Sequence, residues 1–225
     1  MINWLLGIIK YPVAIVMALL TWELIGILWE MILAIKAEQE IADYFFMGMA
    51  LYILVWFVLF RQRFGRMLMI LEHEFIHALF SLLTFNRVVE IRANIVRGHI
   101  LHLSGGNWLM TIAPYFFSLS GVVIIFLLQI ASPQYYPILV GALGYVLTHH
   151  LHTLTVMLSP HQSDIKEVGY LFSILFLPSA NLLMVIALLS QLPYDGIEFT
   201  EILEHLYALL IYYWETFKLY ISNWL

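Results

Sequence analysis

The chain has 225 residues, of which 63% are hydrophobic and 11% are charged. A soluble domain is about half apolar and about one quarter charged, so a chain with this little charge cannot cover a water-facing surface. It contains no cysteine, which excludes disulfides, thiolate metal ligands and cysteine nucleophiles. The net charge of −5, without a basic stripe, gives no indication of nucleic-acid binding. The composition predicts an integral, multi-pass membrane protein.

Long apolar segments recur along the chain. A helix that crosses the hydrocarbon core needs about 20 apolar residues, and six segments meet this requirement: 11–35, 41–60, 67–84, 107–131, 136–158 and 169–191. A seventh helix, at 201–225, is rich in Tyr and Trp, which prefer the membrane interface, so it is predicted either to span the membrane or to lie at its surface. We therefore expect an all-α polytopic fold with about six transmembrane helices plus a C-terminal helix.

The segment after the third predicted helix has a different pattern. Residues 87–106, RVVEIRANIVRGHILHLSGG, place Val, Ile and Arg in near alternation and end in a pair of glycines. Alternation bounded by turn residues predicts one or two short strands, paired as a β-hairpin. Because an unpaired strand edge is not tolerated in lipid, the hairpin is expected at the membrane interface or against protein.

The third predicted helix itself contains the polar sequence HEFIH at residues 73–77. His73 and His77 are four positions apart, so both imidazoles lie on one face of a helix and can bind a single ion. Glu74 lies about 100° around the helix from His73, close enough to reach a water on that ion. This spacing is the H-E-x-x-H motif, in which two histidines hold zinc and the glutamate is the general base. The alternative, histidines that only hydrogen-bond across a helix bundle, is disfavoured because ionisable groups inside a span are costly and usually functional.

A catalytic zinc ion usually has three protein ligands and an open fourth position. Without cysteine, the third ligand has to be His, Asp or Glu. The chain has only three aspartates, Asp43, Asp164 and Asp195. Asp43 opens the second predicted helix, a position typical of a helix start. Asp164 follows the fifth predicted helix, and Asp195 lies in the sequence PYDG after the sixth.

An HEFIH sequence within a membrane span, followed by a hairpin and a distant aspartate, resembles the site-2 protease family of intramembrane zinc metalloproteases. The resemblance covers roughly residues 67–191. It implies that His73 and His77 bind one zinc ion, that Glu74 activates the zinc-bound water and that a later aspartate is the third ligand. Residues 1–66 would then form two accessory transmembrane helices, and residues 192–225 a C-terminal spanning or interfacial helix.

The sequence HQSDI around Asp164 is similar to the Ser-Asp element of a compact bacterial branch of that family, which implies a location in a bacterial cytoplasmic membrane. It departs from the family's usual Asn-Pro-Asp-Gly signature. Tracing the chain through six spans returns Asp164 to the face on which the hairpin lies and places Asp195 on the opposite face, so Asp164 is favoured. Asp195 stays open as an alternative third ligand. In a different class of membrane H-E-x-x-H peptidase, the third ligand is a glutamate on a later helix, and Glu167 or Glu204 would replace Asp164.

A second group of histidines, His149, His150 and His152, ends the fifth predicted helix. His149 and His152 are three positions apart on one face, so a second metal site or a proton relay is conceivable. The simpler interpretation is that these side chains line a polar seam or approach the membrane interface.

The predicted activity is hydrolysis of a peptide bond in or near a transmembrane helix of a membrane-protein substrate. The alternative is a catalytically inactive membrane metalloprotein that acts as a scaffold for other membrane proteins. A pure scaffold has no need of a general base, so the presence of Glu74 favours the enzyme. The sequence identifies neither the substrate nor any partner subunit.

Overall fold

A computed structural model describes residues 2–60, 63–86, 88–93, 98–102, 106–192 and 198–222. Its helices are α1 (Ile2–Ala37), α2 (Gln39–Val55), α3 (Arg63–Leu83), α4 (Trp108–Ile112), α5 (Leu119–Ile130), α6 (Tyr136–Met157), α7 (Ser163–Val168), α8 (Tyr170–Leu189) and α9 (Phe199–Ser222). A π-helical turn, Trp56–Phe60, extends α2, and 3-10 turns at Ala113–Tyr115 and Pro133–Tyr135 precede α5 and α6. Two strands, β1 (Val88–Ala93) and β2 (Gly98–His102), follow α3.

Several helices are suited to a membrane. Within the described residues, α1, α2 with its extension to Val58, and α8 are long and apolar enough to cross it. The pair formed by α4 and α5, bent by 76°, brings the number to four if it is one span. The chain therefore has the helices of a membrane protein, as its composition predicts. All six predicted segments fall on helices, but α3 and α6 carry too many polar side chains to qualify by apolarity, so six spans are not established.

The fourth predicted span is interrupted, as Pro114 in its sequence indicates. Proline lacks an N–H and cannot continue a helical ladder. The chain forms the short α4, then a 3-10 turn, and starts again at α5. Both helices begin with a side-chain cap: the Asn107 oxygen accepts from the Met110 N–H, and the Ser118 hydroxyl accepts from the Gly121 N–H. The break places the Ala113–Tyr115 turn inside the protein, where all three residues are buried.

The two strands pair antiparallel, with Ile91 opposite Ile100 and Arg92 opposite His99. Both contact α3, so the pair lies alongside the helix that carries HEFIH. Residues 94–97, which would form the turn of the predicted hairpin, lie outside the described residues.

The helix pairs α1–α8 and α2–α6 make the most extensive contacts in the core. The second pair approaches closely because glycines face backbone: Gly48 on α2 lies against Gly141 on α6, and Gly144 lies against the carbonyl of Phe45. Small residues at such positions let helix backbones meet directly, which favours association in a membrane.

Gly48→Ala should therefore destabilise the protein. A methyl group at this position would overlap with the carbonyl oxygen of Gly141, which is backbone and cannot turn aside. Overpacking of this kind typically costs about 1–3 kcal/mol, so a clear fall in the thermal unfolding midpoint is expected in detergent. Gly26→Ala on α1 is the matched control, because its methyl group would have no atom within 4 Å. Equal midpoints for the two variants would contradict the close approach of α2 and α6.

Candidate metal centre

Three predicted ligand residues meet between α3 and α7. Nε2 of His73 lies 3.2 Å from Nε2 of His77. Oδ2 of Asp164 lies 3.4 Å from each of these two nitrogens. The three atoms form a nearly equilateral triangle. Two ligand atoms on a tetrahedral zinc ion with bonds of about 2.0–2.1 Å are about 3.3 Å apart, which is close to the sides of this triangle. The group could hold a metal ion, and it is the one such group of His, Asp and Glu within the described chain.

The orientation of His77 is set by backbone. Its Nδ1 lies 2.8 Å from the carbonyl oxygen of Met110, on α4. A carbonyl only accepts, so Nδ1 carries the hydrogen and the lone pair of the neutral ring is on Nε2. Metal-binding histidines almost always donate their second ring N–H in this way, which fixes both tautomer and ring direction. The break after α4 thus supports the site as well as ending the helix.

Asp164 is held by a residue that the sequence analysis did not identify. The Tyr115 hydroxyl donates to Oδ2 of Asp164 at 2.9 Å, and its ring lies edge-on to the His73 ring, with centroids 5.2 Å apart. Tyr115 is 1% exposed. The Asn181 amide on α8 donates to its backbone carbonyl at 2.9 Å, and His150 contacts the Asn181 side-chain oxygen. The buried tyrosine therefore links Asp164 to α8.

The short helix α7 presents Asp164 and is itself anchored. Ile165 and Val168 are buried, and the Lys10 ammonium of α1 donates to the Val168 carbonyl at 2.6 Å. A cation at a helix C-terminus hydrogen-bonds a carbonyl that has no partner within the helix, and it interacts favourably with the negative end of the helix dipole. The next residue, Gly169, has φ of 89°, a conformation that glycine adopts readily and that lets α8 start immediately.

The charge of Asp164 suits a metal ligand. Burial by itself would raise the pKa of its carboxyl group, but hydrogen bonds that His73 and His77 donate to it from Nε2 outweigh burial and hold that pKa well below its ordinary value. The carboxylate is therefore ionised at neutral pH. Because His77 uses Nδ1 for the Met110 carbonyl, it donates from Nε2 only when its ring is protonated, and a cation would displace that Nε2 proton while Asp164 has none to lose.

Glu74 and the other carboxylates differ in their surroundings. Glu74, the predicted base, is 7% exposed and follows His73 directly on α3. Glu167 and Glu204, the alternative third ligands, are exposed and do not belong to the group around the histidines. Asp195 lies outside the described residues. Among the described candidates, Asp164 is thus the carboxylate that lies beside both histidines.

Two histidines of the second group, His149 and His152, lie along a polar seam between α2, α3 and α6, whereas His150 contacts Asn181 on α8. Nε2 of His149 is 2.6 Å from a carboxylate oxygen of Glu72. The Tyr52 hydroxyl lies 2.8 Å from Nδ1 of His152 and 3.4 Å from Nδ1 of His149. Sequence reasoning missed Glu72 and Tyr52. The available signal was that Glu72 is a further ionisable residue in the span that contains the motif.

No model of a known protein family, no curated protein and no solved structure matches this chain.

Proposed function

We propose that this protein is an intramembrane zinc metalloprotease, which cleaves a peptide bond in or near a transmembrane helix of another membrane protein. The observation that carries the proposal is the convergence of His73, His77 and Asp164, whose ligand atoms are 3.2–3.4 Å apart although Asp164 is distant in sequence. Such a triangle leaves one tetrahedral position open, which distinguishes catalytic from structural zinc sites.

The identity of the ion follows from its ligands and their neighbour. Two imidazoles and one carboxylate suit zinc, and the same donor set also occurs in ferrous oxygenases. The buried carboxyl group of Glu74, one residue from a ligand, favours hydrolysis, because hydrolysis needs a proton acceptor beside the ion. A bound zinc ion supplies Lewis acidity, which polarises a carbonyl group and makes water a better nucleophile near neutral pH.

The residues of the chain then carry the remaining tasks. Glu74 accepts the proton of the attacking water and returns it to the leaving nitrogen, so one side chain serves as base and then as acid. His77, fixed by the Met110 carbonyl, and Asp164, fixed by Tyr115, keep the three donor atoms in position. Preorganised ligands of this kind avoid a cost of rearrangement during the reaction.

The membrane setting completes the proposal. We place α3 and α6 across the membrane with α1, α2, the α4–α5 pair and α8, which gives six spans around the site. A polar helix such as α3 is tolerated there because its ionisable groups face protein partners and not lipid. The substrate is a membrane-spanning helix that reaches the site from within the bilayer and unwinds locally, because a helical amide is already hydrogen-bonded.

The proposal is tested by metal analysis of the purified protein. We expect about one zinc per chain in the unaltered protein and almost none in His73→Ala, because two ligands hold zinc much less tightly than three. The same preparations, reconstituted in liposomes with single-span reporter proteins, should cleave at least one reporter only when zinc is present. Iron in place of zinc, or full zinc occupancy in His73→Ala, would overturn the proposal.

A further inference from the structure

The carbonyl group of Met110, which orients His77, is available because of the sequence that follows it. Nδ1 of His77 lies 2.8 Å from its oxygen. In an α-helix the carbonyl of residue 110 accepts from the N–H of residue 114, but Pro114 has no N–H. The N–H of Ala113 donates to the Leu109 carbonyl instead. Pro114 therefore leaves the Met110 carbonyl without its helical partner.

The surroundings of Met110 make another partner necessary. Met110 is 3% exposed, and a buried carbonyl that lacks a hydrogen bond is costly. His77 on α3 supplies the missing N–H from Nδ1, and this bond leaves Nε2 directed at His73 and Asp164. One hydrogen bond thus satisfies the backbone of α4 and orients a candidate ligand of α3.

Asn107 holds the two peptide groups on either side of Met110. Its Oδ1 accepts from the Met110 N–H at 3.1 Å, and its backbone carbonyl accepts from the Thr111 N–H at 3.2 Å. The Thr111 N–H belongs to the same peptide group as the Met110 carbonyl. A peptide group is planar, so fixing its N–H also fixes the direction of its C=O. Asn107 therefore directs this carbonyl at His77.

The Asn107 side chain is itself anchored. It is 7% exposed, and its Nδ2 donates to Oδ1 of Asn3 on α1 and to Oγ1 of Thr84 after α3, at 3.0 Å each. The Asn86 amide donates to the same two acceptors, at 3.1 and 2.9 Å. Because both ends of the Asn107 amide are bonded, its orientation is defined. The start of α4 is thus tied to the helix that carries the motif.

We infer that Asn107 and Pro114 are positioning residues for the candidate ligand His77. Pro114 makes the Met110 carbonyl available, and Asn107 sets its direction. Neither residue is a ligand, and both act through this one backbone group. Their effect on zinc rests on the proposed function, whereas the orientation of the His77 ring does not.

The role of Asn107 is tested by zinc affinity. Asn107→Ala should bind zinc about tenfold more weakly, at the lower end of the 10–100-fold typical for loss of a residue that supports a ligand. Ser118→Ala is the matched control and should keep its affinity, because Ser118 is a buried cap of the same kind on α5, which carries no candidate ligand. Unfolding midpoints of the metal-free variants separate lost stability from lost affinity.

Rescue by a conservative variant completes the test of Asn107. Serine is an N-cap as good as asparagine, so Asn107→Ser should restore zinc affinity to within about threefold of the unaltered protein. Asn3 and Thr84 keep their bonds from Asn86 in this variant. Equal zinc affinity in Asn107→Ala and Ser118→Ala, or the same loss in Asn107→Ser as in Asn107→Ala, would overturn the role of Asn107.

Pro114→Ala introduces an N–H that competes with His77 for the Met110 carbonyl. Zinc affinity should fall about tenfold, whereas Pro12→Ala, at an exposed position inside α1, should leave it unchanged. The double variant with Tyr115→Phe excludes an effect through Tyr115, since independent losses multiply. A loss no greater than that of Tyr115→Phe alone would overturn the role of Pro114.

The His77 ring is also observed without metal. In protein labelled with ¹⁵N-histidine, the Nδ1–H bonded to the buried carbonyl should give a slowly exchanging signal, identified by its absence from His77→Gln. The signal should persist in Pro12→Ala and disappear in Pro114→Ala, and its persistence in Pro114→Ala would overturn the inference. Failure of the protein to bind zinc, or zinc binding without cleavage of any reporter, would contradict the proposed function, and this signal would still decide the inference.

Discussion

Glu74→Gln is expected to slow cleavage of membrane reporters severely while the protein still binds one zinc ion. Glutamine has the size of glutamate but cannot accept a proton, so the substitution removes the base and leaves the three ligands in place. General acid–base groups typically contribute 10²–10⁴-fold, and we expect a loss of about 10³-fold in the cleavage rate. Rates are measured in liposomes, with zinc determined on the same samples.

Glu30→Gln, an exposed position on α1, is the control for the Glu74 substitution and should cleave normally. If Glu74→Gln retained the full cleavage rate, Glu74 could not be the base. If the biological function of the protein persisted without any proteolysis, the scaffold alternative would be supported.

Asp164→Ala should lose zinc, whereas Glu167→Ala should keep it. Both residues lie on α7, but Asp164 lies 3.4 Å from the two histidine nitrogens and Glu167 is exposed. Removal of a partner that orients a ligand typically costs 10–100-fold in metal affinity, and removal of the ligand itself should cost more. Zinc affinity is measured by competition with a chelator of known strength.

Tyr115→Phe gives an intermediate point in the same series. It deletes the hydroxyl that donates to Asp164 but keeps the buried ring, so zinc affinity should fall about 10–100-fold. The order expected for loss of affinity is Asp164→Ala, then Tyr115→Phe, then Glu167→Ala. Zinc loss in Glu167→Ala with retention in Asp164→Ala would assign the third ligand to Glu167 and contradict the geometry.

The local part of the site was predictable from sequence because it depends on one helix. His73 and His77 are one turn apart, and any regular helix over residues 63–83 places their imidazoles on the same face. Asp164 is separated from them by α4, α5 and α6, so its position followed only from counting crossings. The structure places it beside the histidines, although length and apolarity establish only three or four spans.

The supporting contacts were not predictable, since they depend on packing between distant segments. Tyr115 reaches Asp164 only because the chain breaks around Pro114 and turns inward, and the sequence indicated the break but not its direction. His149 and His152 lie at a polar seam, which is one of the interpretations that the sequence left open. Their partner Glu72 was missed because no spacing rule relates residues on α3 and α6.

The bond from Lys10 to the Val168 carbonyl has a consequence for the whole molecule. It ties the first helix of the chain, which contributes no donor atom to the ion, to the segment that presents the acidic one. A protein or lipid that pulled on or tilted α1 would thereby shift one corner of the triangle relative to the other two. The geometry of the candidate site is in this sense a property of α1 as well as of the helix that carries the motif.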